Sequence, residues 1–300
     1  ELGEFPFFSF WGPKAGLPSS DWIARASALV MRRKRPELTM VYLPHLDYDF
    51  QRLPIHDPER VREVDRCAGL VIDAAEEIGA TPIVVSEYGL VPVSRPVEIN
   101  RALRRAGLLE VRDGPFGETL MTMDSKAFAV VDHQLAHIYI NDVQCTAEVR
   151  RIVEDLPGIA SVVEPGDLQL DHARSGELIA LANDDAWFVY YYWLDDRRAP
   201  DFATSVDIHR KPGYDPCELF MTSPLRAAAR LLQKKLGMRY RMDVIPLDPS
   251  LIKGSHGLRP SDSEGAVIVG PDAPTDMRDF KAYVRRLLAS SKVGPTGRQP

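Results

Sequence analysis

The sequence is poor in cysteine and has no long hydrophobic run. Only three cysteines occur in 300 residues. They are widely spaced, at positions 67, 145 and 217, and form no CxxC pair. This pattern argues against a disulfide framework and is typical of a reducing compartment. No apolar run reaches the length of a membrane span, and the N-terminus lacks a secretory signal pattern. We therefore expect a cytoplasmic protein that does not bind or span a membrane.

The sequence also lacks an excess of positive charge. Lys and Arg number 37 against 43 Asp and Glu, so the formal net charge is −6. Proteins that wrap nucleic acid are usually basic, which argues against a nucleic-acid scaffold as the main function. A small phosphorylated or anionic substrate remains compatible with this balance if a metal ion supplies local positive charge.

Several local signatures of catalysis are absent as well. The sequence contains no GxSxG, GxxxxGK[ST], HExxH or GxGxxG motif. A Ser-His-Asp triad has no local signature in its favour. Any active site must therefore be assembled from residues that are distant in the sequence.

The first hundred residues alternate helix and strand patterns. Leu38–Leu43 and Pro82–Val85 are short apolar runs, which are typical of buried strands. Amphipathic helices are predicted at about 21–33 and 58–79. Because βαβ units form parallel sheets, we predict an α/β fold with a mostly parallel central sheet flanked by helices.

The middle of the sequence is more mixed. Strands are predicted at 128–131, 137–140, 176–182 and 187–193, with a helix at 146–156 between them. This order predicts a smaller α+β cap unit inserted into the larger sheet.

The predicted organisation has four parts, and the second of them contains a further amphipathic helix. That helix, Pro224–Leu236, is expected to turn its leucines inward. The four parts are a core over 1–95, the inserted cap over 96–250, a return to the core over 251–289, and a frayed tail over 290–300.

A polar cluster follows the first predicted strand. His45, Asp47 and Asp49 alternate there, and ligands bind beyond the carboxyl ends of strands in parallel sheets. Imidazole and carboxylate groups are metal ligands. By itself the cluster is better interpreted as a polar strand end in water.

A second acidic residue, Glu87, follows the second strand and is expected at the same sheet edge as Asp47. Two neighbouring carboxylates repel unless a positive group lies between them. A metal ion would serve, and so would Arg52 or Arg95.

Four further histidines could contribute. His256 lies between glycines, which leaves it sterically free to reach a ligand or to lie in water. His209 and Arg210 could bind an anion or be surface charge, with surface charge favoured for Arg210 and Lys211. His133, preceded by Asp132, and His137 could form a second ligand group, although at least one of them is expected to be structural.

In order, these motifs resemble the alkaline phosphatase superfamily, and within it the type I phosphodiesterase/nucleotide pyrophosphatase branch. Asp47-Tyr-Asp-Phe-Gln51, followed by Pro54, is similar to the Asp-x-x-x-His loop of that branch. Ser86-Glu-Tyr-Gly-Leu90 is similar to its Ser-Asp-His-Gly-Met loop. Gly254-Ser-His-Gly257 is similar to its Gly-x-His-Gly loop. The likeness runs from about residue 38 to residue 271.

The resemblance implies a set of site residues, with departures from the family pattern. Asp47, Glu87 and His256 would be metal ligands, and His45, Gln51 and Tyr88 would support them. Gln51, Glu87 and Tyr88 stand where the family has His, Asp and His. Because this set is rich in oxygen, Mg²⁺ or Mn²⁺ is expected rather than Zn²⁺.

The resemblance also implies an activity. It predicts a metal-dependent hydrolase of phosphodiester, pyrophosphate or related ester bonds, in which His209 and Arg210 contact the substrate. The Ser or Thr nucleophile of the family is expected upstream of this chain. The departures leave a second possibility, a degenerate member that binds a ligand or partner without turnover.

Overall fold

The computed structural model describes residues 2–55, 57–259 and 267–291. The predicted tail lies outside the described residues from residue 292 on. The α-helices of the described residues are, in chain order, α1 (Leu17–Lys34), α2 (His45–Arg52), α3 (Pro58–Glu77), α4 (Ile99–Arg105), α5 (Thr146–Glu154), α6 (Pro224–Lys235) and α7 (Phe280–Ser291).

The β-strands are short, and most of them pair antiparallel. In chain order they are β1 (Val84–Ser86), β2 (Val91–Pro92), β3 (Arg95–Val97), β4 (Val111–Arg112), β5 (Thr119–Leu120), β6 (Ala127–Asp132), β7 (Leu135–Ile140), β8 (Ile159–Val163), β9 (Leu178–Ala182), β10 (Ala186–Phe188), β11 (Gly254–Ser255) and β12 (Val267–Val269).

The largest sheet of the described residues has four strands in the order β6-β7-β9-β8, all antiparallel. Residues alternate between buried and half-buried along β6 and β7, as expected for strands with one face on a core. Helices α4 and α5 pack on β6 and β8. Only β3 and β10 pair in parallel, so the mostly parallel central sheet is not confirmed within the described residues.

The main hydrophobic core lies around this sheet and an aromatic segment that follows β10. Every side chain from Trp187 to Trp193 is at most 2% exposed. Only the start of that segment is a strand, since β10 ends at Phe188. The aromatic rings of this segment bury a large apolar area. They pack in one hydrophobic cluster with the buried residues of the four-stranded sheet.

The first predicted strand is wrong. Residues 38–43 form no strand in the structure and pair with none of its strands. Met40 is 87% exposed, and Leu38 and Tyr42 are also exposed. The polar cluster that follows is the helix α2 rather than a loop. An apolar run is a strand only when another strand completes its hydrogen bonds, and the described residues offer none here.

Helix α2 lies between the two long helices and the segment that carries His256. It contacts α1, α3 and β11. The backbone amide of Lys253 donates to the carbonyl of Gln51 at 2.9 Å. A Cβ on Gly254 would lie 2.2 Å from the carbonyl oxygen of Phe50, so this close approach requires glycine. The contact places the last turn of α2 beside the segment that leads into the loop of His256.

Candidate functional site

Asp47 and His256 meet in the structure although they are far apart in the sequence. The His256 Nε2 lies 3.7 Å from Asp47 Oδ1, and both side chains are largely buried, at 16% and 15% exposure. Asp47 is in the first turn of α2, where the helix dipole favours an acidic side chain. His256 follows β11 on the glycine-rich loop. The two residues that keep the family's ligand types are therefore neighbours.

The Asp47 carboxyl has one satisfied oxygen and one unsatisfied oxygen. Gln51, one helical turn later, donates from Nε2 to Asp47 Oδ2 at 2.7 Å. Asp47 Oδ1 is buried and has no hydrogen-bond partner. Burial raises the pKa of this carboxyl, although His133, Tyr88 and Gln51 act in the opposite direction. The free oxygen is the one that faces His256.

Gln51 is held in place from its other side. It is fully buried, and its Oε1 accepts a hydrogen bond from the Tyr214 hydroxyl at 2.7 Å. The amide therefore connects Tyr214 to Asp47 and fixes the orientation of the carboxyl. This position is compatible with the supporting role that the resemblance implies for Gln51.

Four aromatic side chains stack in a row beside this carboxyl, and we call them the ring stack. The ring centroids of Tyr88 and His256 are 3.9 Å apart, those of His256 and His133 are 3.7 Å apart, and those of His133 and Tyr214 are 4.0 Å apart. Burial lowers the pKa of His256 to about 3. Its imidazole is therefore neutral near pH 7, as a metal ligand must be.

His133 is the residue of this site whose role the resemblance does not give. It lies in the turn between β6 and β7 and is 8% exposed. Its Nδ1 is 2.7 Å from Asp132 Oδ1, and its Nε2 is buried without a partner. A positive charge on it would lower the pKa of the Asp47 carboxyl. In the sequence, the feature that pointed to His133 was the adjacent pair Asp132-His133.

The other member of the suspected second ligand group is structural. His137 lies on β7, and its Nδ1 accepts a hydrogen bond from the backbone amide of Gly176 at 3.2 Å. Its role is to connect β7 to the segment that leads into β9.

Glu87 and His45 are less central than the other predicted site residues. Glu87 is exposed but close enough to raise the pKa of Asp47. His45 is fully buried; burial lowers its pKa, as do the charges of Arg60 and Arg66, whereas the charge of Asp49 raises it. Both of its ring nitrogens are buried without a hydrogen-bond partner.

His209 and Arg210 lie on an exposed loop. The Arg210 guanidinium is 3.0 Å from Asp201 and 3.5 Å from Asp207, so its charge is already compensated. No described contact joins either residue to Asp47 or His256. Their predicted role in substrate binding remains a prediction.

Lys211 is not surface charge, contrary to the interpretation favoured from the sequence. Its side chain is fully buried, with Nζ 2.7 Å from Asp215 and 2.6 Å from Glu218. It also donates to the Ser205 carbonyl at 3.1 Å. A buried lysine needs such partners. The sequence signal for its burial was the pair of acidic residues four and seven positions later, Asp215 and Glu218.

The site residues fit a divalent cation in part. Ligand bonds of about 2.0–2.2 Å allow two ligand atoms of one ion to lie up to about 4 Å apart. Asp47 Oδ1 and His256 Nε2, 3.7 Å apart, meet that condition. Within the described residues, no three His, Cys, Asp or Glu side chains already converge on one point.

Comparison with protein families agrees with the motifs and the fold. A family model described as type I phosphodiesterase / nucleotide pyrophosphatase matches residues 5–215. The chain belongs to this family. The matched range includes Asp47, Glu87 and His133, whereas His256 lies beyond it. Comparison with curated proteins finds no match.

Solved structures share the fold at low sequence identity. Phosphonoacetate hydrolase from Sinorhizobium meliloti 1021, in complex with phosphonoacetate, has a TM-score of 0.53 and 14% identity, covering 92% of this chain and 57% of that chain. Its complex with phosphonoformate has a TM-score of 0.51, with the same identity and coverage. Murine ectonucleotide pyrophosphatase/phosphodiesterase 5 has a TM-score of 0.49 and 13% identity, covering 92% and 60%.

The two phosphonoacetate hydrolase structures show an alkaline-phosphatase-like α/β fold. The chain spans 57% of the length of the phosphonoacetate hydrolase that it matches. Among the residues that the structure describes, no helix is long and apolar enough to cross a membrane.

Proposed function

We propose that the protein is a divalent-metal-dependent hydrolase of phosphodiester, pyrophosphate or related ester bonds. The observation that carries this proposal is the meeting of Asp47 Oδ1 and His256 Nε2 at 3.7 Å. Two ligand types of the family are kept, and the fold brings them together across about two hundred residues. The family match supports the class of reaction.

Asp47 and His256 would hold the cation in this mechanism. When bound, a divalent cation supplies a Lewis acid that stabilises charge on phosphoryl oxygens. Gln51 keeps Asp47 Oδ2 occupied, which leaves Oδ1 for the ion. His256 is neutral at physiological pH, so that a nitrogen lone pair is available.

The remaining site residues orient these two and tune the site. Tyr88 stacks on His256 and limits the directions in which the imidazole can point. The carboxylate of Glu87 is exposed and would supply a further oxygen ligand. Oxygen-rich ligand sets suit Mg²⁺ or Mn²⁺. We propose Mg²⁺ or Mn²⁺ as the ion and a small phosphorylated or anionic molecule as the substrate.

Metal content and turnover of the full-length protein test this proposal. We expect Asp47→Ala and His256→Ala each to weaken Mn²⁺ binding by at least about tenfold and to abolish hydrolysis of bis(p-nitrophenyl) phosphate. Asp124→Ala and His172→Ala are matched controls, because both residues are exposed and outside the site. Unchanged metal content in both site variants would contradict the proposal.

A binding module without turnover is the second candidate. Its support is that Gln51 already donates to the Asp47 carboxylate, and that Gln51 and Tyr88 stand where family members have metal ligands. This candidate predicts ligand binding with no hydrolysis of phosphodiesters or pyrophosphates under Mn²⁺, Mg²⁺ or Zn²⁺. Robust turnover with any of these ions would eliminate it.

A further inference from the structure

Helix α6 is oriented the opposite way from an ordinary surface helix. None of its twelve residues is buried. Leu225, Leu232 and Leu236 follow one another at spacings of seven and four residues, so they form one stripe along the helix. All three are more than half exposed. A surface helix normally turns such a stripe toward the core, whereas this stripe points away from the rest of the described structure.

The polar side of α6 is the side that is attached to the protein. Arg230 Nε lies 2.6 Å from Asp243 Oδ1, and Arg226 contacts the other oxygen of the same buried carboxylate. Ala227, between the two arginines, packs against the main core. Both arginines are about 100–140° around the helix axis from Leu225. The helix therefore cannot turn its leucines inward without breaking this double ion pair.

The helix and the residues after it protrude as one unit that is anchored at both ends. The Thr222 amide donates to the Val244 carbonyl at 2.8 Å, and the Thr222 hydroxyl donates to the same carbonyl at 3.1 Å. Gly237, with a φ of 69°, ends the helix in the left-handed region and lets the chain turn back. The exposed stripe thus belongs to an ordered projection and not to a frayed end of the chain.

The protruding unit carries positive charge only. From residue 224 to residue 242 the sequence has four arginines, two lysines and no acidic residue, in a chain whose formal net charge is −6. No carboxylate of the described residues forms an ion pair with Lys234, Lys235 or Arg239. A surface that combines exposed leucines with uncompensated cations fits an anionic partner.

The charge and the shape of this surface favour one kind of partner. A second copy of the chain would bring its own six cations against these, and contacts between like charges are costly. A protein partner would need an acidic, apolar groove shaped to this one helix. A membrane surface offers apolar depth to the leucines and negative headgroups to the cations without any such groove. Tyr240 is exposed beside them, and tyrosine is enriched at membrane–water interfaces.

We propose that α6 lies in the surface of an anionic lipid membrane, with its leucine stripe among the acyl chains and with Lys235 and Arg239 near the headgroups. The sequence-based expectation that the protein does not bind a membrane rested on the lack of a long apolar run. A helix that lies in the membrane surface needs no such run. This inference is independent of the proposed hydrolase activity.

Sedimentation of the full-length protein with sucrose-loaded vesicles tests the proposal. One set of vesicles contains phosphatidylglycerol and phosphatidylcholine, and the other contains phosphatidylcholine alone. We expect binding to the anionic set to be at least about tenfold tighter, because each cation near an anionic surface contributes to binding. This binding should weaken as salt is added, since salt screens the attraction. A wild type that does not sediment with the anionic vesicles would overturn the proposal.

The double variant Leu232→Gln, Leu236→Gln tests the leucine stripe. Glutamine keeps a high helix propensity, and burial of one leucine side chain is worth roughly tenfold or more in an equilibrium. We therefore expect the double variant to bind anionic vesicles at least about tenfold more weakly. Met123→Gln is the control, because Met123 is 88% exposed and lies outside α6. An equal loss in the control, or no loss in the double variant, would contradict the role of α6.

The double variant Lys234→Gln, Lys235→Gln tests the charges and does not depend on the leucine variants. It should weaken binding to anionic vesicles by about tenfold or more, whereas Lys126→Gln, at an exposed position, should bind like the wild type. Circular dichroism verifies that each variant is folded. Sedimentation velocity covers the other occupant: a wild-type dimer that the leucine variant dissociates, without vesicle binding, would assign the stripe to self-association and overturn the lipid assignment.

Discussion

Lys211 is a single buried cation on which two buried carboxylates depend. Its amine contacts Asp215 and Glu218, and Glu218 also accepts from the Trp11 indole at 2.6 Å. The cluster therefore joins the N-terminal segment to the loop that carries Tyr214. Because Tyr214 holds Gln51, this ion cluster lies directly behind the candidate site.

Removing this cation should destabilise the protein strongly. We expect Lys211→Met to lower the free energy of unfolding by about 3–5 kcal/mol, since two carboxylates would be left buried without a counter-ion. Urea unfolding measures the change. Lys126→Met, at an exposed position, should change the free energy of unfolding by less than about 0.5 kcal/mol. Equal effects of the two substitutions would show that the cluster does not stabilise the fold.

The same cluster predicts a loss of stability at alkaline pH. Burial by itself would lower the pKa of Lys211, but Asp215 and Glu218 outweigh burial, so the pKa of Lys211 in the folded protein is raised. Its contribution is therefore complete below the unfolded pKa of about 10.4 and is lost as the pH rises through the higher folded value. Unfolding followed between pH 8 and 12 should show this loss in the wild type, and Lys211→Met should lack that component.

The sequence identifies some site residues better than others. Asp47 and His256 stand out because they are polar residues next to an apolar run and between glycines. The position of His133 beside them depends on a two-residue turn and on rings stacking between distant segments. Such contacts leave no periodic signal along the chain. Lys211 resembles surface charge because its neighbours are also polar.

Helix α6 shows the limit of amphipathic patterns. The sequence predicts that Leu225, Leu232 and Leu236 turn inward, whereas the structure exposes them by 82%, 57% and 64%. The helix itself is confirmed, beginning with Ser223 as its N-cap. A periodic pattern indicates that one face is apolar, but it does not say what covers that face.

Two leucine substitutions compare this helix with a buried one. Leu103 in α4 is fully buried, so Leu103→Ala should lower the free energy of unfolding by about 2–5 kcal/mol. Leu232→Ala removes the same atoms from a side chain that is 57% exposed and should change the free energy of unfolding by about 0.5 kcal/mol or less. Chemical denaturation of both variants measures the difference. A large loss from Leu232→Ala would mean that α6 packs its leucines in solution.

In the whole molecule, local order is more predictable than sheet arrangement. The hairpin of β6 and β7, the strand β9 and the helix α5 follow their sequence patterns closely. The four-stranded antiparallel sheet does not follow from them, because strand partners are chosen by distant parts of the chain. The predicted parallel order rested on residues 38–43 pairing in a sheet. The predicted division into core and cap stays a prediction.

The hydrogen bond from the Gln134 amide to the His256 carbonyl makes this amide sensitive to the position of the His256 loop. The turn of the hairpin and the loop of His256 are joined by this backbone hydrogen bond, so a shift of the loop changes the surroundings of the Gln134 amide. The Gln134 amide is therefore a natural nuclear magnetic resonance probe. It follows events at His256 without a label on either imidazole.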